Sequence, residues 1–330
     1  QKNVLCKMGQ IPKTSQFVVS LMDITDSKRA QKEKEQLEMK LIKAEKMEAV
    51  GALAGGVAHD LNNILSGIVS YPDLLLLQLS DDSPHRNAIK TIQESGKKAA
   101  AIVQDMLTMA RRGVVIKEAI NLNDIVSEYL ESPECEKLKS FHPDVRIDFR
   151  SQKKLSNMLG SPLHTAKAVM NLVSNAAEAM PSGGDVIITT KSVRFKEPHK
   201  GYEPIPKGNY VCLSVEDNGV GILPEDIDHI FEPFYTKKKM GRSGTGLGMA
   251  VVWGTVKDQK GYVDIKSILD EGTHFELYFP VSTDEATLKK PAEHIEIIKG
   301  NGESILVVDD VKEQLEIAGN ILTELGYLVR

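Results

Sequence analysis

One histidine, His59, combines a reactive side chain with a setting that would expose it. Apolar residues recur at alternating spacings of three and four along a predicted helix: Met47, Val50, Ala54, Val57, Leu61, Ile64 and Ile68. His59 lies outside this seam, with Asp60 beside it and Asn63 one helical turn further on. A neutral imidazole can attack an electrophile while a neighbouring carboxylate takes the ring proton, so these residues indicate a nucleophilic site. The alternative is an ordinary surface histidine on a solvated helix.

A second polar group forms one stripe on a helix predicted at Pro162–Met180, with Ser161 as its N-cap. Asn171, Asn175 and Glu178 are separated by four and three residues, so they share one face of this helix. Side-chain oxygens in a row suit a hard cation such as Mg²⁺, which keeps several waters and bridges phosphates. A merely exposed helix face is the alternative, although asparagine is a mediocre helix former.

Two glycine-containing segments could bind a nucleotide-like ligand. Asp217 ends a predicted strand and could accept a hydrogen bond from an exocyclic amine, while Gly219 and Gly221 would let the backbone approach a planar group. Further on, a glycine-rich loop at Gly241–Gly248 leads into an apolar helix, whose first N–H groups would favour phosphate. Basic residues add positive charge to this loop: Lys237, Lys238, Lys239 and Arg242. Each signal alone is weak, and no Gly-Lys-Ser/Thr sequence follows the loop, so it is not a Walker A motif.

Two groups of elements must hold these residues. A second seam with the same spacing follows the first: Ile89, Ile92, Gly96, Ala99, Val103, Met106 and Ala110. Two such helices joined by a turn at Ser80–Pro84 predict an antiparallel helical hairpin, which would dimerise into a four-helix bundle.

Downstream, mixed strands and helices predict an α/β sandwich with helices on one face of a mixed sheet. The predicted strands are Val145–Arg150, Asp185–Val193, Tyr210–Glu216, Tyr262–Ser267 and Thr273–Val281.

The composition excludes several classes of protein. With 330 residues, 41% apolar and 26% charged, the chain is globular rather than disordered. Its 41 basic and 46 acidic residues give a net charge of −5, which argues against a broad nucleic-acid-binding surface. No apolar run approaches a membrane span, so no membrane contact is expected within the chain. Three cysteines without disulfide-like or metal-like spacing predict a reducing compartment, the cytoplasm.

Taken together and in this order, the motifs resemble those of sensor histidine kinases of two-component systems. The matching segments are the phosphoacceptor box Ala58–Leu65, the asparagine box Asn171–Ala179, the first glycine box Asp217–Gly221, the phenylalanine box Ile230–Phe234 and the second glycine box Gly244–Gly248. The resemblance implies a homodimeric kinase that uses ATP and Mg²⁺ to phosphorylate His59. It also implies onward transfer of the phosphoryl group to an aspartate of a response regulator or receiver domain.

The same resemblance divides the chain into six segments of a hybrid kinase. They are the end of a PAS-like sensor domain at 1–26, a coiled-coil linker at 27–46, a dimerisation and phosphotransfer hairpin at 47–113, a catalytic ATP-binding domain at 116–282, a linker at 283–302 and the start of a truncated receiver domain at 303–330. In the last segment, Asp309 and Asp310 resemble an Mg²⁺-binding acidic pair.

The resemblance also implies roles for individual residues. His59 would be phosphorylated, Asp60 would activate it, and Asn63 would orient water when a partner is dephosphorylated. Asn175 would bind Mg²⁺ beside Asn171. The remaining nucleotide contacts would come from Glu178, Asp217, Gly219, Gly221, Phe231, Phe234, Lys237, Lys238, Gly244, Thr245, Gly246, Leu247 and Gly248. Among them, Asp217 would read the adenine amine, the two phenylalanines would anchor a nucleotide lid, and the glycines of the second box would let the lid close.

Two positions depart from the pattern, and two other functions stay open. Ser161 replaces an aspartate that is usual in the family, and Lys237 replaces a threonine, so Lys237 and Lys238 are expected to share the phosphate role.

Gyrase-type ATPases have a similar nucleotide site but carry a glutamate base where this chain has Asn171, and they leave the His59 hairpin unexplained. A non-catalytic dimeric scaffold is the other alternative, and failure to bind ATP would favour it.

Overall fold

The computed structural model of the chain divides into two compact units, Gln1–Ala49 and Val50–Arg330. The residues whose structure is described are 3–10, 17–28, 30–31, 34, 61, 64–76, 79–80, 82–110, 118–237, 245–282, 300–308 and 312–330. Most of the two predicted linkers, at 27–46 and 283–302, lies outside the described residues.

The first unit contains a two-stranded antiparallel ribbon. Its strands are β1 (Val4–Gln10) and β2 (Phe17–Asp23). At the end of the ribbon, the Thr25 hydroxyl donates to Asp23 Oδ1 at 2.6 Å and accepts from the Asn3 backbone N–H at 2.9 Å. Apolar and polar residues alternate over residues 16–23, which predicts a strand, and β2 confirms it. The sequence does not predict β1.

Two helices open the described part of the second unit: α1 (residues 64–76) and α2 (Arg86–Ala110). They run antiparallel, because Leu65 near the start of α1 packs with Val103 late in α2, while Ile68 lies against the earlier Gly96. Arg86 ties α2 to the preceding segment by donating to the backbone carbonyls of Leu76, in the last turn of α1, and Leu79, at 3.0 and 2.8 Å. The predicted helical hairpin is confirmed over these residues.

The apolar seam predicted from the sequence is only partly buried within one hairpin. Val103, which belongs to the seam, is 5% exposed. Leu65, which is not in the seam but follows its residue Ile64, is 9% exposed. Ile64 and Ile92, which the seam includes, are 62% and 53% exposed. The apolar stripe is therefore wider than one hairpin covers, and its uncovered flank suits the second copy that the sequence predicts.

A mixed sheet of seven strands forms the centre of the following domain. Its strands are β3 (Glu118–Ile120), β4 (Val145–Ser151), β5 (Asn157–Gly160), β6 (Gly184–Phe195), β9 (Gly208–Asp217), β10 (Tyr262–Ile268) and β11 (Gly272–Ser282). They are ordered β3-β5-β11-β9-β6-β4, with β10 also pairing with β11. Only β4 and β6 run parallel; the other paired strands are antiparallel. All five predicted strands are present.

Four helices share one apolar core with this sheet. They are α3 (Leu122–Leu130), α4 (Pro133–Phe141), α5 (Pro162–Glu178) and α6 (Gly248–Asp258). Val211, Leu213 and Val215 alternate along β9, so their side chains lie on the face that meets Leu172 and Val173 of α5 in the core. The predicted α/β sandwich is confirmed, and α5 begins after the predicted N-cap Ser161.

The opposite face of the sheet is covered at one end by a short hairpin that the sequence reasoning missed. Its strands are β7 (His199–Lys200) and β8 (Pro204–Ile205). Ile205 packs in a small cluster against aromatic side chains of the sheet. Two buried carboxylates hold the hairpin: Asp264 accepts from the Tyr202 N–H at 2.7 Å, and Glu203 accepts from the Val263 N–H at 2.9 Å.

The chain closes on a small β-α-β segment. It contains β12 (Ser304–Ile305), α7 (Lys312–Glu324) and β13 (Leu328–Val329), with the two strands parallel. The apolar run that begins after Ser304 and ends at Val308 predicts a buried strand. In the structure, however, Leu306 and Val308 are 73% and 82% exposed. The expectation of a buried strand is wrong over residues 306–308, which belong to no strand, since β12 ends at Ile305.

Throughout the described parts of the chain, no helix combines the length and apolar composition that a membrane crossing requires.

Truncating the core of α5 is expected to destabilise the domain. Leu172 is 2% exposed, so Leu172→Ala should lower the free energy of unfolding by about 2–5 kcal/mol through lost burial and a new cavity. Leu163→Ala in the same helix is the matched control, because Leu163 is 72% exposed and its loss should cost less than about 0.5 kcal/mol. Urea unfolding of both variants measures the difference. Equal losses in the two variants would contradict the assigned core.

Candidate nucleotide site

The predicted acceptor residues His59, Asp60 and Asn63 lie outside the described residues. Lys238 and Gly244 of the predicted nucleotide contacts, and the acidic pair Asp309 and Asp310, lie outside them as well. All other predicted site residues are described, and each belongs to the sheet domain.

The predicted polar stripe lies on the half-buried side of α5. Asn171, Asn175 and Glu178 are each partly exposed, while their apolar neighbours in the helix are buried. The Asn171 side-chain amide donates to the backbone carbonyl of Gly248 at 3.0 Å. This bond ties the stripe to the first residue of α6, an arrangement that the sequence spacing alone does not predict.

The stripe supplies donors that fit a magnesium ion carried by a phosphate ligand. Asn175 and Glu178 offer an amide oxygen and a carboxylate, which are the hard oxygen ligands that Mg²⁺ prefers. Among the described residues there is no cluster of three acidic, histidine or cysteine side chains that would form an all-protein cage. The donor set therefore suits a cation that keeps waters and shares a ligand's oxygens.

Asp217 ends β9 as a buried carboxylate, 8% exposed. Its Oδ1 accepts from the Gly219 backbone N–H at 2.9 Å, which forms the tight turn after the strand. Burial raises the pKa of Asp217 above its ordinary value, and backbone N–H groups of Gly219 and Thr273 partly oppose that rise. A buried carboxylate at a strand end, fixed by its own turn, can read a hydrogen-bond donor on a ligand.

The glycines of the turn after Asp217 are required by close contacts. Gly221 has φ +70°, and a Cβ there would lie 2.2 Å from the Ile268 carbonyl oxygen. A Cβ at Gly219 would lie 2.7 Å from the carbonyl oxygen of Ala179, just after α5. Between them, Val220 donates its N–H to that same Ala179 carbonyl at 3.1 Å. The turn is therefore wedged between the end of α5 and the end of β10.

The two predicted phenylalanines occupy different environments. Phe231 is fully buried, with its ring centroid 4.9 Å from Trp253 of α6 and 5.8 Å from Tyr202. Phe234 is 53% exposed and has φ +67°, and its backbone N–H donates to the Gly246 carbonyl at 3.0 Å. The first phenylalanine thus anchors the segment in the core, and the second holds it through the backbone.

The described part of the second glycine box leads directly into α6. Gly246 has φ +69°, and a Cβ there would lie 2.5 Å from the backbone of Phe234, so the contact requires glycine. Leu247 is fully buried, and its N–H is bound by the Thr245 hydroxyl at 3.2 Å. Helix α6 then starts at Gly248.

The start of α6 differs from the starts of the other helices in this domain. A side-chain oxygen caps each of α3, α4 and α5, from Asn121, Ser132 and Ser161 respectively. No side chain of the described residues caps α6. Its first backbone N–H groups and the positive end of its dipole are thus suited to a phosphate group.

Lys237 has a partner that the sequence reasoning missed. Its ammonium lies 2.6 Å from Oδ2 of Asp226, and Asp226 Oδ1 accepts from the Tyr235 hydroxyl at 2.6 Å. Asp226 belongs to none of the sequence motifs. It lies in a turn before the phenylalanine box, whereas both of its partners follow that box.

Two known protein families match this chain, one over the helical hairpin and one over the sheet domain. Residues 49–115 match the family described as His Kinase A (phospho-acceptor) domain. Residues 160–283 match the family described as Histidine kinase-, DNA gyrase B-, and HSP90-like ATPase.

Individual relatives agree with these matches. Sensor kinase CckA of Brucella abortus (strain 2308) is 31% identical over 322 residues, which cover 94% of this chain and 33% of that protein. Sensor histidine kinase ZraS of Salmonella typhi is 26% identical over 237 residues, covering 72% of this chain and 47% of that protein. The chain thus spans less than half the length of these relatives. Among solved structures, full-length ShkA in complex with AMPPNP matches with a TM-score of 0.56 at 19% identity, covering 84% of this chain and 54% of that chain, a likeness of fold.

Proposed function

Because this chain belongs to the sensor histidine kinase family, we propose that it transfers the γ-phosphoryl group of ATP to its own His59 and from there to an aspartate of a receiver domain. The Asn171–Gly248 hydrogen bond is the observation that carries the nucleotide half of this proposal. It joins the polar stripe of α5 to the start of α6, which no side chain of the described residues caps. The helix that carries the proposed Mg²⁺ ligands is therefore joined to the start of the helix whose N–H groups would bind phosphate, which supports a site for a nucleoside triphosphate.

The base end of the nucleotide is assigned to the turn after β9. Asp217 would accept a hydrogen bond from the adenine amine, and its Oδ1 is already oriented by the Gly219 N–H. Gly219 and Gly221 let the turn pack closely against the carbonyls of Ala179 and Ile268, which fixes the backbone beside that carboxylate and would shape the pocket for a planar base.

The phosphate end is assigned to the start of α6 and to the basic residues before it. Gly244, Gly246 and Gly248 would let the backbone approach the phosphates, with Lys238, alone or with Lys237, near the terminal one. Asn175, beside Glu178, would hold Mg²⁺, which when bound neutralises the charge that develops on the transferred group.

The acceptor half follows from the chemistry of the phosphoacceptor box. His59 would attack the γ-phosphorus in line with the bond to ADP, so that a P–N bond forms as the P–O bond breaks. Asp60 would take the proton from the imidazole ring, which keeps the attacking nitrogen electron-rich. Asn63 would orient a water molecule when the protein dephosphorylates its partner.

We also propose that the protein is a homodimer in the cytoplasm. The exposed flank of the hairpin, which includes Ile64 and Ile92, supports a homodimer in which two hairpins form a four-helix bundle. The downstream partner is a receiver domain, in a response regulator or in the same protein. The three thiols are free, in keeping with a reducing cytoplasmic compartment.

The test of this function is incubation of the chain with Mg²⁺ and ATP labelled at the γ-phosphate. We expect label on the protein that is lost in acid and retained in base, because a phosphoramidate nitrogen is protonated before the P–N bond breaks. ATP labelled at the α-phosphate should leave the protein unlabelled. Steady ATP hydrolysis without a labelled protein would indicate a gyrase-type ATPase instead, and failure to bind ATP would indicate a scaffold.

A further inference from the structure

A three-residue hydrogen-bond cluster lies in the segment next to the proposed phosphate contacts, and only its lysine has so far been considered for a role there. It consists of Asp226, Tyr235 and Lys237, and we call it the Asp226 clasp. Each carboxylate oxygen of Asp226 has its own partner: Oδ1 accepts from the Tyr235 hydroxyl and Oδ2 from the Lys237 ammonium, both at 2.6 Å. Asp226 is only 8% exposed, so the two bonds form at a largely buried carboxylate.

The surrounding contacts make the clasp a defined structure rather than a loose surface pair. The ring of His229 lies 5.6 Å from that of Tyr235, and His229 Nδ1 is 2.6 Å from Oε1 of Glu232. The Tyr235 backbone N–H also donates to the Glu232 carbonyl at 3.2 Å. The hydrogen bonds from Lys237 and Tyr235 hold the pKa of Asp226 below its ordinary value, which keeps the carboxylate charged at neutral pH.

The position of the clasp in the chain suggests its use. Phe234 is joined to Gly246 through the backbone, and the clasp fixes the three residues that follow. The next residue, Lys238, is the one assigned above to the terminal phosphate. A basic side chain reaches its ligand reproducibly only if the backbone leading to it starts from a fixed place.

We propose that Asp226 is a positioning residue for nucleotide binding, and that Lys237 serves as the cationic arm of its clasp rather than as a phosphate ligand. This inference rests on the proposed ATP-binding function. The two possible roles of Lys237 predict opposite effects on ATP affinity when the Asp226 carboxylate is removed. If the clasp positions the segment, ATP binding weakens. If Lys237 binds phosphate, removing the carboxylate frees the lysine and ATP binding strengthens.

A double-mutant cycle on ATP affinity tests these roles. The variants are Asp226→Asn, which keeps an oxygen for Tyr235 but loses the charge, Lys237→Met, which keeps most of the aliphatic length, and their combination. We expect each single variant to raise the Kd for ATP about five-fold, and the double variant to match the singles because all three break one interaction. Tighter ATP binding in Asp226→Asn, or independent effects that multiply in the double variant, would overturn the proposal.

Hydrogen–deuterium exchange of the chain without nucleotide provides a readout independent of ATP. Loss of the clasp should speed exchange at the Phe234 and Tyr235 amides several-fold and leave the strands of the sheet unchanged. Asp148→Asn is the matched control, because it breaks an exposed ion pair with Arg150 and should alter neither exchange at these amides nor ATP affinity. Unchanged exchange in Asp226→Asn would refute the clasp. Loss of ATP binding by the unmodified chain would instead refute the proposed function.

Discussion

Replacing His59 by glutamine is expected to abolish protein labelling from γ-labelled ATP, with a loss of at least about 1,000-fold. Glutamine keeps a polar side chain of similar reach, but its amide nitrogen has no lone pair available to attack phosphorus. Since the nucleotide contacts are assigned to the sheet domain, ATP affinity should stay within about two-fold of that of the unmodified chain. Labelling is measured by gel autoradiography, and affinity by calorimetry.

A second histidine in the helical hairpin provides the control for this variant. His85 lies in the turn before α2 and is exposed, so His85→Gln should label as well as the unmodified chain. If label survives in His59→Gln, or disappears in His85→Gln, the assignment of His59 as the acceptor is wrong.

Replacing Asp217 by asparagine is expected to weaken ATP binding about 100-fold, which corresponds to about 2.7 kcal/mol. The carboxylate is buried and held by the Gly219 N–H, so it presents a fixed charged acceptor to the adenine amine. An asparagine keeps the shape but halves the number of acceptor oxygens and places an N–H₂ group where a second donor would be repelled. Titration with ATP and with ADP measures the effect, which should be the same for both nucleotides.

The neighbouring acidic residue gives a matched control for the loss of charge. Glu216 is exposed, on the other face of β9, so Glu216→Gln removes the same charge and should leave ATP affinity unchanged. A comparable loss of affinity in Glu216→Gln would point to a general electrostatic effect rather than to base recognition.

The same asparagine variant should gain stability relative to the unmodified chain as pH rises from acid to neutral. The pKa of Asp217 is raised by burial, which means that the folded environment disfavours its ionised form. That penalty is absent at low pH, where the carboxyl is protonated in both states, and it develops as pH rises through the ordinary pKa and then the raised one. The unfolding free energy of Asp217→Asn relative to the unmodified chain should therefore increase from acid to neutral pH. A falling difference would contradict the assigned cause of the pKa shift.

Local signals explain why α5 and the strands around it could be predicted. Ser161 and Pro162 mark the helix start within two residues, and the alternation in β9 reports a sheet with one face in the core. The β7–β8 hairpin could not be predicted in this way. Its paired segments are two residues long, and it is held by Asp264 and by Glu203, which bond residues about sixty positions away in the chain.

The candidate site shows the same limit at the level of side chains. The types and order of Asn175, Asp217 and Gly221 predict a nucleotide site, because each type has a chemical reason to be there. The partners that hold the site come from other elements: Asn171 binds the carbonyl of Gly248, and Lys237 binds Asp226. Neither pairing leaves a periodic trace in the sequence, so both require the structure.

The amide at position 171 also bears on what happens to a triphosphate once it is bound. Asn171 donates an N–H to the carbonyl of Gly248, and a carboxylate in its place could not, because it has no proton to give and its charge would repel that oxygen. The side chain that braces α6 is thus chemically unable to deprotonate a water molecule. Water activation therefore has no general base at this position, so ATP bound at the proposed site should be hydrolysed slowly compared with phosphoryl transfer to the proposed acceptor His59.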